Sequence, residues 1–310
     1  PAGPEKVAKN AEVRQAFIDA IPYYQHIIDN FQHTDYGRTS FYFLGLCHYN
    51  SRDYLKAADV FLMFSEREKK MPKEKIQLGD IADSKMRAAE SYFQYASDKD
   101  KASKPLKERL ALLQASEVPT ANSAPVEAPE PVVPAGEVDV PQDAPKKGEV
   151  PLNEMSAEQL KKMIEEFDLA AKKYYAETIK HCEEFEKMIG KDGILAEDKS
   201  KKTLVAKESA YSLIAWAHDG LKDNDKTVKY LVRFINDYPQ GKQTPVAMQR
   251  LGILYGEIGK FEDSARVLEE LASKFPESKQ GIQAMPTLAK TMYEIRSEER
   301  RGRERVYHPV

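Results

Sequence analysis

Apolar residues recur every three or four positions through most of the chain, which is the spacing of one helix face. Between residues 156 and 189 they fall at Leu160, Met163, Ile164, Phe167, Ala170, Ala171, Tyr174, Cys182, Phe185 and Ile189. Ser156 followed by Gln159 has the form of a capping box, and Gly190 and Gly193 supply a stop. The pattern predicts a helix of about 34 residues, roughly 50 Å long at 1.5 Å per residue. No segment reads as a strand, so the fold class is all-α.

One stretch breaks the pattern. Glu117 to Val150 holds seven prolines, no aromatic residue, and seven acids against two lysines. Such a composition buries too little apolar surface to offset the entropy of ordering it, which predicts a disordered acidic linker. The Pro131 to Pro134 spacing also suits a proline-reading domain, but a solvated tether is the simpler reading. The predicted organisation is therefore a helical segment over 1–116, the linker over 117–150, a long helix with repeats over 151–296, and an Arg-rich tail over 297–310.

The helical segments repeat. Residues 211–240 align with 248–277 at a spacing of 37, so that Ile214-Ala215 falls over Leu251-Gly252, His218 over Tyr255, Leu231 over Leu268 and Pro239 over Pro276. Asn30 to Phe64 aligns in turn with Asp237 to Leu271, with Leu44-Gly45 over Leu251-Gly252 and Phe61 over Leu268. Phe41, Leu44 and His48 then line a first helix, and Tyr54, Ala57, Phe61 and Phe64 a second. A helical Gly costs about 1 kcal/mol against Ala, so Gly45 and Gly252 predict a close approach of the paired helix. Thr244-Pro245 reads as a helix start, and Pro239 and Pro276 end their second helices.

An aromatic, then Leu-Gly, Tyr, Ala, Phe and Pro at fixed offsets in a helix–turn–helix resembles the tetratricopeptide repeat. Three units fit well (38–71, 208–241 and 245–278), and two partial ones sit at 82–116, with Ala88-Ala89 in the Leu-Gly slot, and at 282–300. The three residues added after each proline are similar to repeats of bacterial envelope proteins, such as outer-membrane-assembly lipoproteins and periplasmic cell-division coordinators. The resemblance implies an irregular helical-repeat solenoid in two segments. Pro286, inside the first helix of the last unit, predicts a kink or a shifted start there.

Solenoids of this family bind along the face lined by their first helices. The resemblance places Thr39, Tyr42, Leu46 and Tyr49 there, then Ser209, Ser212, Trp216 and Asp219, then Val246, Gln249, Ile253 and Gly256. Family members that clamp a peptide carboxylate need Lys and Asn at the fifth and ninth positions. Tyr42/Leu46, Ser212/Trp216 and Gln249/Ile253 stand there instead, so that subtype is rejected. The candidate partner-binding residues are Tyr42, Leu46, Tyr49, Ser212, Trp216, Gln249 and Ile253, suited to an amphipathic helix or an extended apolar segment. The competing reading packs Tyr42, Leu46 and Trp216 inside the chain.

Composition narrows the remaining choices. With 47 Lys plus Arg against 50 Asp plus Glu the net charge is −3, which argues against a nucleic-acid binder. The longest apolar run, Phe41 to Tyr49, is about half a membrane span. Cys47 and Cys182 are too far apart in sequence for a CxxC metal site, and His33, His181 and the other histidines lack a ligand pattern. His48 and His218 occupy the repeat's Tyr slot, which predicts packed, hydrogen-bonded side chains. No catalytic or nucleotide-binding motif is present, and no cofactor is expected. Five arginines and three glutamates between Arg296 and Arg305 read as a solvated helix end or as a contact for an acidic partner. A start at Pro1 fits loss of an initiator methionine or of a signal peptide, so the compartment rests on the repeat resemblance, which favours the periplasm or cell envelope over the cytoplasm. The function expected is a non-catalytic scaffold or adaptor for protein partners, with a homo-oligomer compatible. The alternative is a helical solute-binding protein for a glycan or small ligand.

Overall fold

In the computed structural model, residues 4–72, 75–116 and 151–307 are described, with ten α-helices and no strand among them. In chain order these are α1 (Pro4–Phe31), α2 (Asp35–Asn50), α3 (Tyr54–Lys69), α4 (Leu78–Ser116), α5 (Ala157–Ile189), α6 (Lys201–Gly220), α7 (Asn224–Asp237), α8 (Thr244–Glu257), α9 (Phe261–Lys274) and α10 (Lys279–Tyr307). The expected linker at 117–150 lies outside the described residues. The chain divides into two units. One takes in residues up to Ile76 together with Arg87–Thr178; the other takes in Gln77–Met86 together with residues from Ile179 onward. The division between the units falls within the long helices α4 and α5.

Three helix pairs have the repeat architecture: α2–α3, α6–α7 and α8–α9. Their inter-helix turns are alike. Arg52 (φ 65°), Lys222 (φ 60°) and Gly259 (φ 77°) each take the left-handed conformation. The next residue's N–H then returns to the first helix, from Asp53 to the His48 carbonyl (2.8 Å), Asp223 to His218 (3.0 Å) and Lys260 to Tyr255 (2.8 Å). Gly259 carries no Cβ penalty, whereas Arg52 and Lys222 hold a strained backbone.

The glycine expectation holds in both copies. A Cβ on Gly45 would lie 2.7 Å from the Phe61 ring, and one on Gly252 would lie 2.7 Å from Leu268. Phe61 and Leu268 are fully buried, so neither can withdraw.

In the first unit, Ala57, Ala58, Phe61 and Ala88 form a core to which α2, α3 and α4 contribute. Glu68, fully buried, is gripped through both oxygens by Arg38 (2.7 and 2.5 Å). α4 and α5 meet through stacked Tyr92 and Tyr174 (5.7 Å between centroids) and through Phe93 and Tyr175 (5.6 Å). In the second unit, Tyr211, Leu231, Phe234, Met248, Leu251, Leu268 and Leu271 anchor the core, with Trp216, Tyr255 and Leu288 packed against it.

The Ser156–Gln159 capping box forms in both directions, Gln159 N–H to Ser156 Oγ (3.2 Å) and Ser156 N–H to Gln159 Oε1 (2.9 Å), and opens α5. The partial unit at 82–116 is corrected: Ala88 and Ala89 are buried as a first helix requires, but α4 runs unbroken through Pro105 to Ser116, with no turn and no second helix. α10 likewise begins at Lys279 and continues through Pro286 instead of restarting after it.

Replacing Gly252 by Val should destabilise the protein by about 1–3 kcal/mol through overpacking against Leu268. The urea midpoint measures this, and Gly256→Ala, where the nearest atom to a new Cβ is Ser264 Oγ at 3.6 Å, should shift it far less.

Candidate functional site

The first helices of the second unit are tied to one another by polar contacts. Arg250 of α8 grips Asp219 of α6 through Nε (3.0 and 2.9 Å) and through its second amino group (2.7 Å). Its remaining nitrogen reaches both Glu257 oxygens at 3.1 Å. Burial works against the Arg250 charge, but the hydrogen bonds to Asp219 and Glu257 outweigh it and hold the guanidinium protonated more firmly than usual. Between α8 and α10, Gln249 Nε2 donates to Gln283 Oε1 (3.3 Å). The spacing of α6, α8 and α10 is therefore held by directional bonds as well as by the core behind them.

The expected contact residues fall into two groups. In the second unit Trp216 is half-buried, with one side against the core cluster. Ile253 is half-buried and lines a cavity of about 260 Å³ together with Gly256, Phe261, Thr287 and Lys290. Val246 is exposed and Gln249 half-buried. Ser212 does not join them. It is buried, and its hydroxyl donates to the Ser209 carbonyl one turn back (2.9 Å), which removes it from any surface. Asp219 is engaged by Arg250.

In the first unit the corresponding side chains are likewise half-buried. Tyr42, Leu46 and Tyr49 all pack against the cluster of Ala57, Ala58, Phe61 and Ala88. The Tyr42 ring lies 5.7 Å from Phe61 and 6.0 Å from Phe64. Tyr49 donates its hydroxyl to Glu90 Oε1 (3.0 Å) and meets Tyr54 edge-on at 5.4 Å. Burial first, and the Glu90 charge second, push its phenol well above the usual range.

The arginine bridge was not anticipated. Asp219 appeared in the sequence as a lining position, but nothing in its own unit pointed to Arg250, 31 residues on. The signal available was an acid at one lining position and a base in the next first helix.

Other reactive side chains are quiet. Burial pushes both the Cys47 and Cys182 thiols up, away from the thiolate form a nucleophile needs. Among the described residues no group of three or more His, Cys, Asp or Glu side chains is placed to hold a metal ion. No described helix is long and apolar enough to cross a membrane.

The family model described as tetratricopeptide repeat matches residues 209–241 and 246–278, the α6–α7 and α8–α9 pairs. These two segments are tetratricopeptide repeats, a module that generally mediates protein–protein interaction. No curated protein matches the chain.

His48 and His218 show what the Tyr slot demands. Both rings are buried, and His218 stacks on Tyr230 at 5.4 Å. The expected hydrogen bond is stretched to a near contact, Nδ1 to Asp53 at 3.5 Å and to Asp223 at 3.7 Å. Burial lowers the pKa of both imidazoles, and the neighbouring aspartates only partly oppose it. The folded state thus prefers neutral rings, while the unfolded chain protonates at the ordinary histidine pKa of about 6.5. Stability should be level above that value and fall as pH drops below it. Urea midpoints at pH 7.5 and 5.5 test this. The double variant His48→Tyr/His218→Tyr, which places tyrosine where Tyr255 already stands in the third pair, should lose much of the difference.

Proposed function

We propose that this protein is a non-catalytic scaffold that holds a segment of a partner protein on the first-helix face of its second unit. Trp216 and Ile253 are the apolar anchors, Gln249 gives a polar contact, and Val246 extends the exposed apolar surface. The observation that carries this reading is the pairing of Arg250 with Asp219 and of Gln249 with Gln283. These bonds fix the spacing of α6, α8 and α10 in advance, so little ordering entropy opposes a ligand that lies across them. The lining is largely uncharged, which suits the apolar face of a helix or an extended apolar segment. Tyr42, Leu46 and Tyr49, half-buried against α3 and α4 side chains, are not assigned to this partner surface.

The 37-residue spacing, with three residues added after Pro239 and Pro276, supports a place in a bacterial envelope assembly, in the periplasm in preference to the cytoplasm. Nothing around Trp216 favours the solute-binding alternative.

The test is affinity capture from cell lysate and envelope fractions with the wild type beside Trp216→Ala/Ile253→Ala, after circular dichroism has shown the variant folded. A partner retained by the wild type should be lost by the variant. Truncating such an anchor commonly costs about 2 kcal/mol or more, roughly 30-fold in affinity. Trp216 is the only tryptophan in the chain, so its emission should also shift when the purified partner is added. Equal capture by both proteins would overturn the assignment.

A further inference from the structure

The last helix repeats the first-helix pattern once more. At the same spacing of 37, Met285 falls on Met248, Leu288 on Leu251, Ala289 on Gly252 and Met292 on Tyr255. In α8 the corresponding face is closed by α9: Met248 is 2% exposed, and Gly252 admits Leu268 where its own Cβ would be. In α10 the inward edge is closed in the same way, with Ala284 and Thr291 buried and Leu288 packed on the core. The other edge is open. Met285 is 57% exposed and Tyr293 63%, with Ile282, Ala289 and Met292 exposed beside them.

At 100° per residue these five side chains share one helix face about 16 Å long, and no helix among the described residues covers it. Its surroundings are basic. Arg296 and Arg300 continue the same face toward the C-terminus, and Lys279 and Lys290 border one edge. Glu299 borders the other, while Glu294 and Glu298 lie on the far side of the helix.

We infer that this face of α10 is a second docking surface, for an amphipathic helix of a partner protein with a small residue opposite Ala289 and acids along its flank. Two observations select that occupant. The register equivalence with α8 shows the shape that fits, since α9 meets α8 with Ala265, Leu268 and Leu271 and carries four acids, Glu262, Asp263, Glu269 and Glu270, against Arg266 and Lys274. The basic border disfavours a second copy, which would bring the same arginines and lysines together, and favours an acidic flank. None of the residues proposed as anchors on the first-helix face takes part.

The test uses the full chain and, as probe, a fluorescent peptide copying residues 259–278, the helix this face is built to resemble a site for. Anisotropy should show saturable binding that weakens at least tenfold in Met285→Asp/Met292→Asp, weakens as salt screens the charges, and is unchanged in Trp216→Ala. Both methionines are exposed, so the thermal midpoint of the double variant should match the wild type. A second pairing guards against a folding artefact: Arg296→Glu/Arg300→Glu should bind a Glu269→Lys/Glu270→Lys peptide more tightly than the wild type does. Absence of peptide binding, or binding indifferent to Met285→Asp/Met292→Asp, would overturn the inference. So would phosphatidylserine vesicles binding the wild type and not that variant, which would make the face a lipid surface. Sedimentation showing a wild-type dimer that the variant dissociates would assign it to a second copy instead.

Discussion

In two of the three helix pairs the first helix meets a buried side chain of the second through a glycine, while the α6–α7 pair has Ala215 in that slot. Gly45 admits Phe61 and Gly252 admits Leu268, in each case closer than a Cβ would permit. The contact sets the distance between the two helices, and that distance makes the rest of the unit possible. A short turn can join the pair only if its connecting residue turns left-handed, which Arg52, Lys222 and Gly259 all do. The backbone strain at Arg52 and Lys222, of the order of 1–2 kcal/mol each, is sustained by the packing of each helix pair, with Gly45 at the contact in α2–α3 and Ala215 in that place in α6–α7.

Buried polar contacts add direction to this apolar framework. Glu68 is fully buried and would be costly without Arg38, whose two-pronged grip satisfies both oxygens and joins α2 to α3. Arg250 and Asp219 tie α6 to α8 in a less buried setting, where the net stabilisation is smaller and the geometric constraint matters more. Hydrophobic burial tolerates sliding along a helix, whereas a bidentate ion pair does not. The surface left between first helices is accordingly a defined one.

Much of this was legible in the residues, and the exceptions share a cause. The 37-residue spacing, the glycine contacts and the Ser156–Gln159 cap are local or periodic, and a local pattern can be read without knowing its neighbours. The partial burial of Tyr42, Leu46 and Tyr49 could not be read in that way. Their positions line a groove when a repeat stands alone, and they are partly buried here because Ala88 and Tyr92 of α4 pack into the same cluster. The uninterrupted course of α4 through Pro105 was hidden because Ala88-Ala89 matched a first helix, and a first helix implies a second. The left-handed turns at Arg52 and Lys222 leave no trace in sequence, since a charged side chain is an unexpected occupant of that conformation.

The last described helix raises a physical question that the interior helices do not. Inside an array every first helix is covered by its own second helix and by the next first helix, so its apolar positions need no further explanation. Among the described residues α10 lacks one of these covers, and an apolar outer face left open to water would cost solubility. α10 keeps Ile282, Met285, Met292 and Tyr293 on that face and sets Arg296 and Arg300 in line with them. A face meant for water would have little use for methionine in the positions where α8 uses Met248 and Tyr255 to receive α9. Methionine suits a face that must accept a helix not permanently present, since its unbranched side chain can repack around an incoming surface. The basic border then restricts which helices are accepted, and apolar area with charge selection is the combination expected of a specific surface.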